Sequence, residues 1–125
     1  MTQTAGITKQ ALDGFYGPSQ WYRHPFGRLV YTDGIHFLVE NGAAWLLDVV
    51  ASYQSAKLDQ QTEGFQLWIL KVNADRSCVV TCQADSNTPN LVEQKIPYTD
   101  FPLDEIKLYV EGEGKDRVCL LPQEH

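Results

Sequence analysis

Seven side chains between positions 21 and 31 give this chain its most distinctive chemistry: Trp21, Tyr22, Arg23, His24, Phe26, Arg28 and Tyr31. An imidazole serves near neutral pH as a base or a metal ligand, guanidiniums pair with carboxylates, and the rings offer flat apolar faces. No Asp or Glu occurs from Gly14 to Thr32, although the chain holds 16 acidic residues against 10 Lys plus Arg. The segment is a cationic, ring-rich island in an acidic protein. Trp, Tyr and Arg are the residues that dominate interface hot spots, so loop 20–34 reads as a contact surface for a protein partner. The same set would suit a flat anionic small ligand such as haem, with the His24 imidazole as its ligand. No C-x-x-C-H sequence is present, so such a haem would be noncovalent. A plainer account competes with both. The rings would pack beneath a helix, Arg23 and Arg28 would tie the loop to Asp13, Asp33 or Asp48, and each histidine would be satisfied by ordinary hydrogen bonds.

Catalysis has weaker support. Ser19, His24 and Asp33 are the nearest approach to a nucleophile, a base and an orienting acid. No G-x-S-x-G elbow, Gly-rich phosphate loop or H-E-x-x-H sequence accompanies them. A non-enzymatic reading is therefore preferred, with a small hydrolase the last alternative. Cys78 and Cys82, on one strand, would stand roughly 13 Å apart on the same face, too far for a disulfide or a shared zinc ion. They read as buried packing residues. Cys119 with His24, His36 or His125 lacks zinc-ligand spacing, so no metal is expected.

The bulk properties narrow the partners. A net charge of -6 and a pI near 4.9 argue against nucleic acid and anionic membranes, which attract clustered Lys and Arg. A protein or a small ligand fits better, and a homodimer stays open. Asp104, Glu105, Glu111, Glu113 and Asp116 would form an acidic face suited to a basic groove. Met1 to Gln10 lacks the apolar core of a secretory signal, no apolar run nears the roughly 20 residues of a spanning helix, and three cysteines form no disulfide framework. A cytoplasmic protein is the expectation.

The elements that would position the island follow from spacing. Thr8 caps a short helix that ends at Gly14, with Ile7 placed to meet Leu12. Gly17-Pro18 and His24-Pro25 make the island a loop or an irregular strand. Thr32 or Asp33 caps a helix from Gly34 to Glu40, which stops at Asn41-Gly42. A third helix, Ala43 to Ser55, carries Trp45, Leu46, Val49, Val50 and Tyr53 on one side and Asp48 and Ser52 on the other. The polar run from Lys57 to Gly64 reads as its frayed end and a loop. Five strands follow: Phe65 to Asn73, Ser77 to Ala84, Leu91 to Tyr98, Glu105 to Glu111, and Arg117 to Leu121. The pattern predicts one α+β domain, 1–125, mainly helical over 1–63 and mainly β over 64–125, with the helical layer packed on an antiparallel meander of about five strands.

Several of these segments occur together in a recognisable order: Trp21-Tyr22-Arg23-His24-Pro25, Tyr31-Thr32-Asp33-Gly34, Ala44-Trp45-Leu46-Leu47-Asp48, Phe65-Gln66-Leu67-Trp68 and Thr99-Asp100-Phe101-Pro102-Leu103. In this the chain resembles a family of small bacterial proteins, frequent in cyanobacteria and on mobile elements, that is classed as a domain of unknown function. The resemblance covers nearly the whole chain. It implies a fold and a cellular setting without an established activity, and a haem suggestion that would map onto His24 and His36.

Overall fold

The structure is a computed structural model that describes residues 6–16, 20–25, 28–112 and 117–125. Helix α1, Lys9–Asp13, begins where the Thr8 hydroxyl accepts the Ala11 N–H at 3.0 Å, and buried Ile7 and Leu12 pin it to the core. The island then folds as a hairpin, β1 (Trp21–Arg23) and β2 (Leu29–Thr32), where the sequence suggested a loop or an irregular strand. Helix α2, Asp33–Leu38, runs into a π-helical turn, Val39–Ala43, in which Gly42 takes φ 95°, a left-handed value that a Cβ disfavours. That break separates α2 from α3, Ala44–Ser52. The polar run beyond α3 is a helix of its own, α4, Ala56–Thr62, rather than a frayed end. The Ser55 hydroxyl accepts the Leu58 N–H at 3.1 Å and supplies the cap that starts it.

The remaining strands are β3 (Phe65–Val72), β4 (Cys78–Gln83), β5 (Asn90–Ile96), β6 (Glu105–Glu111) and β7 (Arg117–Leu120). With β1 and β2 they make one mixed seven-stranded sheet in the order β1-β2-β7-β6-β3-β4-β5. The fold is α+β as expected, but the sheet corrects the rest of the expectation. It has seven strands instead of about five, β2 and β7 run parallel, and β3 lies between β4 and β6, so the order is not a meander. Alternation within a strand fixes which face is buried; it carries no information about which strand lies alongside.

Alternation does define the two faces. Trp68, Leu70, Val80, Cys82, Leu108, Val110 and Cys119 point toward the helices and are buried, while Ile69, Lys71, Val79, Thr81, Glu93, Lys95, Lys107 and Tyr109 share the other face. On the helix side, Trp68 Nε1 donates to Gln66 Oε1 at 2.8 Å, and Gln66 exchanges amide hydrogen bonds with Gln54 beyond α3. The segment from β5 to β6 is anchored by buried Phe101 and by Arg76, whose guanidinium donates to the carbonyls of Thr99 and Phe101. Among the described residues no helix is long and apolar enough to cross a membrane.

Candidate functional site

Strand alternation divides the island into two sets. Tyr22 and its cross-strand partner Tyr31 face the helices, whereas Trp21 and Arg23 take the opposite side of β1. Tyr22 is the middle of a stack: its ring lies 3.8 Å from the His36 ring at 4°, and 5.5 Å from Tyr31 at 18°. Both phenols are pushed above the ordinary tyrosine value, first by burial, then by Asp33 for Tyr22 and Glu40 for Tyr31. The Tyr22 hydroxyl donates to Gln20 Oε1 at 2.8 Å. His36, on α2, has Nε2 3.1 Å from Glu40 Oε1, and its buried Nδ1 has no hydrogen-bond partner among the described residues.

His24 follows β1 and turns inward. Its backbone N–H donates to the Leu29 carbonyl at 2.9 Å, its ring is almost fully buried, and Nε2 lies 2.7 Å from Asp48 Oδ1 on α3. The plainer reading tied Arg23 and Arg28 to Asp13, Asp33 or Asp48; of these carboxylates Asp48 meets the His24 imidazole, because the inward-facing position after β1 belongs to residue 24. Iron ligation through Nε2 would require breaking that bond. His24 and His36 each spend Nε2 on a different carboxylate.

Trp21 is 59% exposed, and Arg23 and Arg28 are exposed as well. The ion pairs among the described residues are His24 with Asp48, His36 with Glu40, Arg117 with Asp59 and His125 with Glu111, so neither island arginine is in one. Phe26 and Ser19 lie outside the described residues, as do Glu113 and Asp116 of the expected acidic face. No group of three His, Cys, Asp or Glu side chains capable of holding a metal ion occurs among the described residues. Cys78, Cys82 and Cys119 are free thiols in the core, and burial raises all three, Cys82 to about 12.

Two buried ion-bearing residues behind the hairpin escaped the sequence reading. The Glu124 carboxylate is buried and accepts from Thr32 Oγ1 at 2.6 Å, Gly34 N at 3.0 Å and Leu121 N at 2.9 Å. It caps α2 from the far end of the chain, and the fit is tight: a Cβ on Gly34 would lie 2.6 Å from Glu124 Oε1 and from Leu121 Cδ1. The Thr32-Asp33-Gly34 cap signal marks the receiving end, but nothing in the sequence marks residue 124 as the donor of the carboxylate. Arg117, buried on β7, grips Asp59 of α4 with Nε and Nη2 and also donates to the Ser55 carbonyl at 3.2 Å. Its Nη1 is buried without a partner among the described residues.

The inner side of β1 and β2 is thus held through stacking, the His24–Asp48 bond and the Glu124 cap, while Trp21, Arg23 and Arg28 are exposed. Neither a curated protein nor a solved structure matches the chain. A family profile matches residues 6–125, and on that match this chain belongs to DUF6876, a family of unknown function.

Proposed function

We propose that this chain is a small, acidic, non-enzymatic interaction protein that contacts a protein partner through the outward side of the β1–β2 hairpin, with Trp21, Arg23 and Arg28 as the contact residues. The observation that carries the reading is an indole exposed at 59% on the same side of β1 as Arg23, with Arg28 exposed just before β2 and neither guanidinium in an ion pair among the described residues. An exposed Trp next to an Arg is the composition of an interface anchor, and guanidiniums without an ion pair among the described residues favour a partner surface that carries carboxylates. The inner side supports the same reading. A hairpin already fixed by the Tyr22–His36 stack and the His24–Asp48 bond has little backbone entropy left to lose on binding.

The test compares immobilised wild-type protein with the Trp21→Ala/Arg23→Ala variant in quantitative affinity capture from the source cells, followed by titration of the purified captured protein. Loss of that partner with an unchanged melting temperature, and weakening of wild-type binding by added salt, are the expected results. Equal capture by both proteins, or a collapse of the variant's melting temperature, would return the hairpin to a purely structural role.

A further inference from the structure

The other end of the sheet carries a different feature. Among the described residues strand β5 has β4 on one side and no strand on the other, and its free edge is seven residues long. Pro89 and Pro97 bracket it, and since proline offers no N–H, they limit the segment that another strand could join. A long unpaired edge is a template for strand addition, so what it can pair with depends on its side chains.

Register with β4 places Glu93 opposite Thr81 and Lys95 opposite Val79, both on the face away from the helices. Neither charge is in an ion pair among the described residues; Glu93 receives only a 3.4 Å contact from Asn90 Nδ2. Val92, Gln94 and Ile96 alternate with them on the helix side, where Gln94 Oε1 accepts the Tyr53 hydroxyl at 2.9 Å. On the open face a concavity of about 590 Å³, lined in part by Ile69, Val79, Glu93 and Lys95, borders the strand, and on the helix side one of about 320 Å³ lies between it and the start of α4.

We propose that the chain forms a two-fold dimer in which β5 pairs antiparallel with β5 of a second copy, with Gln94 opposite Gln94. The register follows from charge and from geometry. A two-fold axis perpendicular to the sheet keeps both helix layers on one side and must pass through a residue position, because a slip of one would oppose residues from different faces. Centring on Gln94 sets Glu93 against Lys95 twice and Val92 against Ile96 twice. Centring on Glu93 or on Lys95 puts like charges directly opposite each other, and centring on Val92 sets Glu93 against Leu91 and leaves Lys95 against Pro89. Opposite charges directly across a strand pair stabilise it and like charges oppose it, so one register is selected. The strand is thereby complementary to itself, and the pair would extend the two sheets into one of fourteen strands.

The experiment is sedimentation velocity over a concentration series, with circular dichroism to confirm that each variant is folded. Wild-type protein should pass from monomer to dimer as concentration rises. Glu93→Lys alone and Lys95→Glu alone should each weaken the dimer by about tenfold or more, because both symmetric pairs become repulsive. An equimolar mixture of these two single variants, and the doubly exchanged Glu93→Lys/Lys95→Glu protein, should each regain the dimer. A wild-type protein that remains monomeric throughout, single variants that dimerise like wild type, or a mixture that stays monomeric would each overturn the proposal. All of these readouts leave Trp21 and Arg23 untouched, so the dimer and the proposed partner surface fail or stand separately.

Discussion

At one edge of the sheet β1 is three residues long and sends an aromatic ring to each side; at the other, β5 is seven residues long and alternates charge with apolar side chains. The short edge offers little backbone to a foreign strand, so its outward Trp21 and Arg23 present side-chain chemistry. The long edge offers a ladder of backbone groups, and its Glu93 and Lys95 determine which strand can use it. On the two proposals made above, one sheet would carry two unlike surfaces, the first for a different protein and the second for a copy of itself. The two ends are also held differently. The β1 end depends on polar contacts from distant parts of the chain, Glu124 and Asp48, whereas β3, β4 and β5 pair through neighbouring antiparallel strands.

The strongest way to break this contrast is at Glu124. Alanine there strands the Thr32 hydroxyl and the N–H groups of Gly34 and Leu121, and we expect a loss of about 3–5 kcal/mol in chemical denaturation. Amide exchange should accelerate first in β1, β2 and α2 while β3 and β4 keep their protection. A loss below about 1 kcal/mol would show that the cap is incidental. Next in size is the contrast within β1. Tyr22→Ala removes the ring between Tyr31 and His36 and should lower the thermal midpoint by several degrees, while Trp21→Ala should move it by about 1 °C or less. Equal effects would contradict the inward and outward assignment.

The buried thiols probe both ends of the sheet from the core. Cys78 and Cys82 lie next to the β5 edge on β4 and Cys119 on β7 beside β2, so they report on both halves. Native protein at pH 8 should resist thiol reagents at all three, since a thiol held at about 12 is ionised to about one part in ten thousand there. Folded values above the ordinary 9.0 also fix the sign of a pH effect. The unfolded chain gives up thiol protons that the native state keeps, so this contribution is whole below pH 9 and is lost as the pH climbs toward 12. Denaturant midpoints measured from pH 8 to pH 11 should fall steadily, and a flat profile would contradict the burial.

Much of this was legible in the sequence, and the gaps have physical causes. Thr8, Gly14 and the apolar side of α3 announce their helices, and alternation from Phe65 onward gives five strands close to their observed limits. β1 and β2 were hidden because three or four residues are too few to establish a period, and His24-Pro25 mimics loop chemistry. α4 was hidden because its seven residues are mostly polar; its burial comes through Leu58 and Thr62, and its purpose through Asp59, which meets an arginine 58 positions away. The island itself was visible as composition. That Tyr22 and His24 turn inward while Trp21 and Arg23 turn outward depends on the pairing of β1 with β2, which composition does not contain.

The proposed meeting of the hairpin's outward side with a different protein can be tested directly. The direct measurement places a photo-reactive residue at position 30, the cross-strand partner of Arg23, in one preparation and at position 90, the start of β5, in another, so that Trp21, Arg23, Glu93 and Lys95 all stay in place, irradiates each in extracts of the source cells, and identifies the adducts by mass spectrometry. Position 30 should yield an adduct with one heterologous protein, suppressed by excess wild-type chain but not by the Trp21→Ala/Arg23→Ala variant, while position 90 yields this chain joined to itself. Adducts of position 30 only with this chain, or none above the level at an exposed control position such as Asp85, would contradict the proposal.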